Sequence, residues 1–324
     1  SPAVDDLPAV HTRLFRSRSQ AIGEFAPEVR RVVSFYQGYL PPFPVRELEI
    51  FQAPTRFGGY TWIAPHGLVN LQQARTYAVT GSTFGNTPHL ESGILAHEIA
   101  HQYFGHVLRP ASSEDFWIAE SFSETYAVMY LGAAFGEDVL HDRMRRYRTV
   151  WEKDLARETQ FASLTHPYQR RGSIIYKWGP YVLLHMLHGR IGHGAFFSAV
   201  DGLTRARYRQ DVRTEDIQAA FEATSEQDLS DFFDFWIRGG FRPELTLTWS
   251  DSGDGVSLDV TSSVPFGRFD VPVVVRGSGT EQVVWVVVEN GRGQASVSSA
   301  GAVDRVELDP NHMVLATQRR VRRQ

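Results

Sequence analysis

Apolar residues in the first two thirds of the chain follow mostly a helical spacing. Between Ala26 and Leu40 they recur every three to four positions, which predicts a helix with one buried face. Short apolar and β-branched runs separated by Gly and Pro then predict three strands, at 47–51, 60–64 and 68–71. From about Leu90 to Trp236 the spacing is helical again. The predicted helices there are 90–105, 116–131, 137–157, 173–188, 194–204, 214–223 and 228–237.

The pattern changes after the breaker at residues 238–243, which contains Gly239, Gly240 and Pro243. Beyond it the chain consists of short β-branched runs with turn residues between them, at 245–249, 256–260, 269–275, 283–288 and 306–308. Such spacing predicts an all-β module of about seven strands, most simply a small sandwich. The expected fold class is therefore α+β. We expect a boundary between residues 241 and 242, a sandwich over 242–317, and a basic tail over 318–324 that lies in solvent.

Two histidines four residues apart, His97 and His101, lie within one predicted helix. Residues at this spacing share a helix face, so both imidazoles can reach a single ion. Glu120 follows on the next predicted helix, with residues 102–119 between it and His101. Two neutral imidazoles, one carboxylate and an open fourth position are what a catalytic zinc requires. The pattern predicts Zn²⁺ as the cofactor, held by His97, His101 and Glu120.

Three further side chains have a candidate role beside this metal. Glu98 lies between the two histidines, and as a general base it would take a proton from a metal-activated water and pass it to the leaving amine. Its alternative is an exposed helix carboxylate. Glu124 could accept a hydrogen bond from the distal nitrogen of a ligating histidine, or it could be solvated. Tyr176 could donate to the oxyanion formed during attack on a carbonyl, or it could serve only in packing.

Composition narrows the class of protein. The 324 residues are 42% hydrophobic and 22% charged, as in a globular protein with a sizeable core. A formal net charge of −4 provides no general attraction to nucleic acid, so no nucleic-acid partner is expected. No apolar run reaches the roughly 18 residues of a membrane helix. Because the chain has no cysteine, any metal must be bound by His, Asp or Glu, and thiolate chemistry is excluded.

With these motifs, the chain resembles the zinc metallopeptidases of the aminopeptidase N type, which are gluzincins. The metal motif ends in Trp117-Ile118-Ala119-Glu120, similar to the W-x-x-E of that family, and Tyr176-Lys177-Trp178-Gly179 resembles its Y-x-K-G. The resemblance extends from about residue 20 to 315. It implies that residues 1–241 form a thermolysin-like catalytic domain, with a small β-sheet subdomain and a mainly helical one. It also implies an immunoglobulin-like sandwich over 242–317 and a role for Tyr176 as the transition-state tyrosine.

Two departures from the family pattern modify this expectation. The large N-terminal β domain of the family is missing, so the chain resembles part of a longer or membrane-anchored protein. In addition, residues 61–65 occupy the positions of the family's G-A-M-E-N motif. Ala64 stands where the family has the glutamate that grips a free α-amine, and a methyl group cannot pair with an ammonium. With Trp62, Ile63 and Ala64 as the substrate-binding segment, recognition of a free N-terminus is expected to be weakened.

The leading prediction is a zinc-dependent peptide hydrolase acting on peptide or protein substrates. Such a hydrolase could be an endopeptidase or an aminopeptidase with a different amine anchor. The alternatives to it are a non-catalytic zinc-containing binding module and a zinc hydrolase with a non-peptide substrate. The absence of cysteine gives a mild preference for a location outside the cytosol, periplasmic or secreted.

Overall fold

The computed structural model describes residues 7–13, 22–53, 66–72, 83–84, 87–155, 163–165, 178–241, 243–252, 255–277, 279–298 and 303–324. Contacts group the chain into two compact units. The first comprises residues 1–151 and 167–227, and the second comprises 152–166 and 228–324. Within the described residues, no helix is both long enough and apolar enough to cross a membrane.

A small parallel sheet opens the first unit. Its strands are β1 (Ala9–Arg13), β2 (Glu47–Ala53) and β3 (Leu68–Gln72), in that order. Helix α1 (Ile22–Gln37) lies between β1 and β2 in sequence, so the two parallel strands are joined by a helical crossover. The strands predicted at 47–51 and 68–71 are thus confirmed, whereas β1 was not predicted. The strand predicted at 60–64 lies outside the described residues. Two short pairs complete this unit's strands, β4 (Thr83–Phe84) with β5 (Thr87–Pro88) and β6 (Leu108–Pro110) with β7 (Gln210–Val212).

Helices form most of the first unit, as the apolar spacing predicted. They are α2 (Leu90–Ala100), α3 (Phe116–Phe135), α4 (Glu137–Leu155), a π-helical segment (Tyr181–Leu187) continued by α5 (His188–Ile191), α6 (His193–Ala206) and α7 (Thr214–Ser225). Helix α2 ends five residues before the predicted 105, because the amides of Gln102 and Tyr103 bond three residues back in a tight turn. Helix α3 continues to Gly136, whose φ of 107° ends it.

Helices α2 and α3 occupy the centre of the first unit. Both are apolar on nearly every face and almost completely buried, which is typical of core helices. Tyr36 of α1 donates a hydrogen bond of 2.8 Å to the Ala96 carbonyl on α2. At the start of α3, the indole of Trp117 donates to the Thr214 hydroxyl over 3.0 Å, and Asp115 accepts from the Thr214 amide over 2.8 Å. These contacts hold α2 and α3 against their neighbouring elements.

The second unit combines a short helical segment with a seven-stranded sheet. The helical segment is α8 (Ser230–Phe232), which continues as a π-helical turn (Phe233–Arg238). The strands are β8 (Glu244–Asp251), β9 (Gly255–Ser262), β10 (Arg268–Gly277), β11 (Thr280–Glu289), β12 (Arg292–Ser298), β13 (Val303–Leu308) and β14 (Gln318–Arg323). Their order is β13-β10-β11-β12-β9-β8-β14. The predicted all-β character is confirmed.

The sheet is one continuous ladder rather than two separate sheets. Strand pairing between its two halves occurs at the hairpin between β11 and β12, where Glu289 pairs with Arg292. Within β8, buried Leu245, Leu247 and Trp249 alternate with more exposed residues, so one face of this strand is buried. The region expected to form a sandwich therefore consists of two half-ladders, which pair with each other at one hairpin.

Two boundaries differ from the sequence-based expectation. Residues 228–241 belong to the second unit rather than to the first, because Phe235 and Trp236 pack against Phe269 of β10, with ring centroids 5.1 and 5.8 Å from that of Phe269. The segment expected to be a basic tail over 318–324 is instead the edge strand β14, which pairs in parallel with β8. Its arginines have partners that a free tail would lack. Arg319 pairs with buried Asp309 at 2.9 Å, and Arg323 lies 4.8 Å over the Trp249 ring.

Candidate metal centre

The two motif histidines lie at the C-terminal end of α2. His97 is in the last turn of the helix and His101 caps it, with the His101 amide bonded to the His97 carbonyl over 3.2 Å. This single helical turn brings the two Nε2 atoms to 3.0 Å from each other. Glu120, in the second turn of α3, places Oε2 3.4 Å from Nε2 of His97 and 3.5 Å from Nε2 of His101. Three donor atoms from two helices therefore converge on one point.

The spacing of the three donors fits a zinc ion. Zinc binds nitrogen and oxygen ligands at about 2.0–2.1 Å in a tetrahedral arrangement, which separates neighbouring ligand atoms by about 3.3 Å. The measured separations of 3.0, 3.4 and 3.5 Å lie close to that value. Among the described residues, these three form the only group of His, Asp or Glu side chains close enough to share a metal. Two imidazoles and one carboxylate are also the ligand types that zinc accepts at a catalytic site.

The distal nitrogen of each histidine is bonded to a group behind the site. Nδ1 of His97 lies 2.8 Å from Oε2 of Glu124, and Nδ1 of His101 lies 2.9 Å from the Phe104 carbonyl. Because both partners are acceptors, each Nδ1 carries the proton and each Nε2 keeps its lone pair for a metal. The structure thus places Glu124 where the sequence suggested, beside a ligating histidine and partly buried.

Glu98 is buried, with 2% of its surface exposed, and its Oε2 has no hydrogen-bond partner among the described residues. A buried carboxylate oxygen without a partner is costly, and a catalytic role or a bound water or ion is what usually accounts for such an atom. Burial raises the pKa of Glu98, while the nearby His101 and His97 act against that rise. The exposed-carboxylate alternative considered for Glu98 is therefore wrong.

Electrostatics around the donors favour a cation. Burial alone would raise the pKa of Glu120, but the hydrogen bonds of His101 and His97 lower it far below its usual range. For His97, burial opposes protonation, and the hydrogen bonds with Glu120 and Glu124 outweigh it, so its pKa is raised well above its usual value. Three carboxylates surround two imidazoles here, so the centre concentrates negative charge that a divalent ion would neutralise.

Four predicted site residues lie outside the described part of the chain: Tyr176, Trp62, Ile63 and Ala64. The described residues resume at Trp178, and Gly179 contacts helix α3. At Gly179 an added Cβ would lie 1.9 Å from the Ser121 hydroxyl oxygen, next to Glu120, so only glycine allows this close approach of the backbone to α3.

Two residues at the centre were not predicted. Ser123 places its hydroxyl oxygen 3.1 Å from Nδ1 of His101, and Tyr147 of α4 donates to Oε1 of Glu124. Ser123 lies three residues after Glu120, so its position on the same face of α3 was a signal in the sequence. Tyr147 belongs to a different helix, and no local spacing connects it with the motif.

This fold and centre define a class: a mainly helical unit with a two-histidine, one-glutamate candidate metal site, followed in the chain by a β-sheet unit. Residues 79–236 match the family described as Peptidase family M1 domain. This match supports a metallopeptidase of the aminopeptidase N family.

Individual relatives are distant and much longer. The chain is 26% identical over 240 residues to Aminopeptidase N of Streptomyces lividans, covering 68% of this chain and 26% of that protein. It is 23% identical over 252 residues to Probable aminopeptidase 1 of Sulfurisphaera tokodaii, covering 73% and 30%. The chain thus spans between a quarter and a third of these relatives.

A solved structure of Legionella pneumophila aminopeptidase A in complex with aspartic acid has a similar fold. Its TM-score is 0.77 at 14% identity, and the match covers 96% of this chain and 36% of that one. At this identity the likeness supports the α+β fold, with a helical part and a C-terminal sheet.

Proposed function

We propose that this chain is a zinc-dependent peptidase unit that hydrolyses peptide bonds in peptide or protein substrates. The observation that carries the proposal is the convergence of Nε2 of His97, Nε2 of His101 and Oε2 of Glu120 within 3.0–3.5 Å, beside the unpartnered carboxylate oxygen of Glu98. The M1 family match supports the peptide-hydrolase class.

His97, His101 and Glu120 would hold the zinc, and the distal nitrogens of the two histidines are bonded to other groups of the protein. When bound, zinc lowers the pKa of a coordinated water and polarises a substrate carbonyl. Glu124 and the Phe104 carbonyl hold the two imidazole rings in the orientation that directs Nε2 inward. The ligands are thus preorganised, because little side-chain movement is needed for the three donors to meet.

Glu98 is the general base of the proposal. It lies next to the donor cluster, it is buried, and its Oε2 has no competing hydrogen bond within the described chain. It can therefore take a proton from the attacking water and later deliver it to the leaving amine nitrogen. Tyr176 is proposed as the hydrogen-bond donor to the carbonyl oxygen as negative charge develops there.

Substrate selection is proposed to differ from that of a typical aminopeptidase. Trp62, Ile63 and Ala64 would contact the substrate, and the alanine methyl offers no charge for a free α-amine. Cleavage would then depend less on a free N-terminus, as in an endopeptidase. An aminopeptidase with another amine anchor and a non-catalytic zinc-containing module are the competing candidates. We further propose that the protein acts outside the cytosol.

The test uses the purified 324-residue chain, with zinc content measured first and then hydrolysis of matched peptides with free and acetylated N-termini. The expected result is about one zinc per chain and measurable cleavage of the acetylated peptide. Glu98→Gln should retain zinc and lose activity by about 10²–10⁴-fold, the usual contribution of a general acid or base.

A matched control is Glu137→Gln, which alters an exposed glutamate at the start of α4 and should leave turnover unchanged. Zinc bound without any hydrolysis would favour the binding module. Cleavage confined to free N-termini would favour the aminopeptidase with another anchor. Full activity in Glu98→Gln would remove the proposed base.

A further inference from the structure

The carboxylate of Glu124 is bonded at both oxygens. Oε2 lies 2.8 Å from Nδ1 of His97, and Oε1 accepts the hydroxyl hydrogen bond of Tyr147. Tyr147 lies on α4 and is 5% exposed, so its hydroxyl is shielded from water. A chain of two hydrogen bonds therefore links α4 through α3 to a metal-donor histidine on α2.

The hydrogen bond from Tyr147 restricts a rotation of the Glu124 carboxylate that the bond to His97 alone would leave free. A carboxylate held at one oxygen can rotate about its terminal bond, which is a soft torsion. Bonds at both oxygens fix the plane of the Glu124 carboxylate and hence the direction in which Oε2 faces the His97 ring. The ring orientation sets where the Nε2 lone pair points, which decides how well His97 can bind a metal.

A tyrosine suits this position better than a cationic donor. Lys or Arg beside Glu124 would neutralise the carboxylate and weaken its pull on the His97 proton. A phenol donates a hydrogen bond without adding charge, so Glu124 keeps its full negative charge for His97. Burial, followed by the charge of Glu124, raises the pKa of Tyr147 well above its usual value, which keeps the phenol protonated as a donor.

We propose that Tyr147 is a positioning residue of the metal centre, which acts through Glu124 on His97 and tightens the binding of zinc. This inference rests on the proposed function, because it assumes that His97 is a zinc ligand. Tyr147 itself touches neither the three donor atoms nor Glu98 in the described contacts.

Tyr147→Phe tests the inference, because it removes only the hydroxyl. Zinc affinity of the metal-free chain would be measured by competition with a chromophoric chelator. The dissociation constant should rise by about tenfold, the lower end of what loss of an outer-shell partner costs. With Co²⁺ in place of zinc, the visible absorption bands should shift, since they report ligand geometry at the metal.

The matched control is Tyr103→Phe. Tyr103 is equally buried, and its hydroxyl donates to the Pro41 carbonyl over 2.7 Å, away from Glu124. Both variants lose one hydrogen bond of a buried tyrosine, so both should lower the thermal midpoint. Only Tyr147→Phe should change zinc affinity and the Co²⁺ spectrum.

Glu124→Gln, alone and combined with Tyr147→Phe, decides whether the tyrosine acts through Glu124. The double variant should bind zinc no more weakly than Glu124→Gln alone. Additive losses, or unchanged affinity in Tyr147→Phe, would overturn the inference while leaving the zinc peptidase proposal intact. A wild-type chain that binds no zinc would instead defeat the proposed function.

Discussion

Glu98 in the first unit and Asp309 in the second are both buried acids, and they differ in how their charge is satisfied. Asp309 is fully buried and accepts hydrogen bonds from the Met313 amide at 2.5 Å, the Val314 amide at 3.1 Å and Nε of Arg319 at 3.0 Å. Glu98 is 2% exposed, yet its Oε2 has no partner among the described residues.

The contrast separates a structural acid from a reactive one. Asp309 is surrounded by donors that the chain itself supplies, so its charge serves the fold of the second unit. Glu98 lies beside donor atoms arranged for a cation, and its spare acceptor capacity is available to a substrate or a water. Burial alone therefore does not distinguish these two acids, whereas their hydrogen-bond partners do.

The largest effect is expected for Asp309→Ala. Removal of the carboxylate leaves Arg319, whose side chain is 13% exposed, without its charged partner, and such a loss costs about 3–5 kcal/mol. Hydrogen exchange measured by mass spectrometry should show lost protection in peptides from β13 and β14. The proposed peptidase activity per folded molecule should not change, because the candidate site lies in the other unit.

Asp304→Ala is the control for this prediction, since Asp304 is exposed on β13 and its removal should leave exchange unchanged. Arg319→Leu combined with Asp309→Ala should recover part of the lost stability, because no unpaired charge remains. If exchange protection in Asp309→Ala stayed at the wild-type level, the Asp309 carboxylate would contribute little to the stability of the second unit.

A smaller effect is expected from crowding the metal-site helix. Gly179→Ala would place a Cβ 1.9 Å from the Ser121 hydroxyl oxygen and 2.4 Å from its Cβ, and overpacking of this kind costs about 1–3 kcal/mol. Thermal unfolding should report the loss. Adding Ser121→Gly removes both clashing atoms and should restore part of it. Gly202→Ala, in open space on α6, should instead be neutral or stabilising.

No recovery in the Gly179→Ala, Ser121→Gly double variant would mean that the backbone, rather than this side-chain clash, limits position 179.

The smallest effect on stability is expected when the unpartnered acid Glu98 is neutralised. Glu98→Gln replaces an unsatisfied buried charge by a neutral amide, so the metal-free first unit should gain about 0.5–2 kcal/mol, the usual size of a single stabilising substitution. Hydrogen exchange in peptides from α2 is the measurement. A loss of stability in the metal-free chain would show that the Glu98 carboxylate is satisfied by a group beyond the described residues.

Local patterns in the sequence predicted what depends on one element at a time. Helical spacing placed α2 and α3, and the i, i+4 histidines with a following glutamate identified three donors that lie together in the structure. Glu124 was also within reach of such reasoning, because it lies one turn beyond Glu120 on the same helix. The end of α2 and the strand β14 were not predicted correctly, because a tight turn and strand pairing override local propensity.

The sequence by itself thus determined the types and order of the elements and the chemistry of the donor set, because both follow from periodicities within single segments. Only the tertiary structure decided that Tyr147 reaches Glu124, that Gly179 lies against Ser121 and that Arg319 neutralises Asp309. Each of these contacts joins different elements, and its geometry depends on how those elements pack rather than on any spacing along the chain.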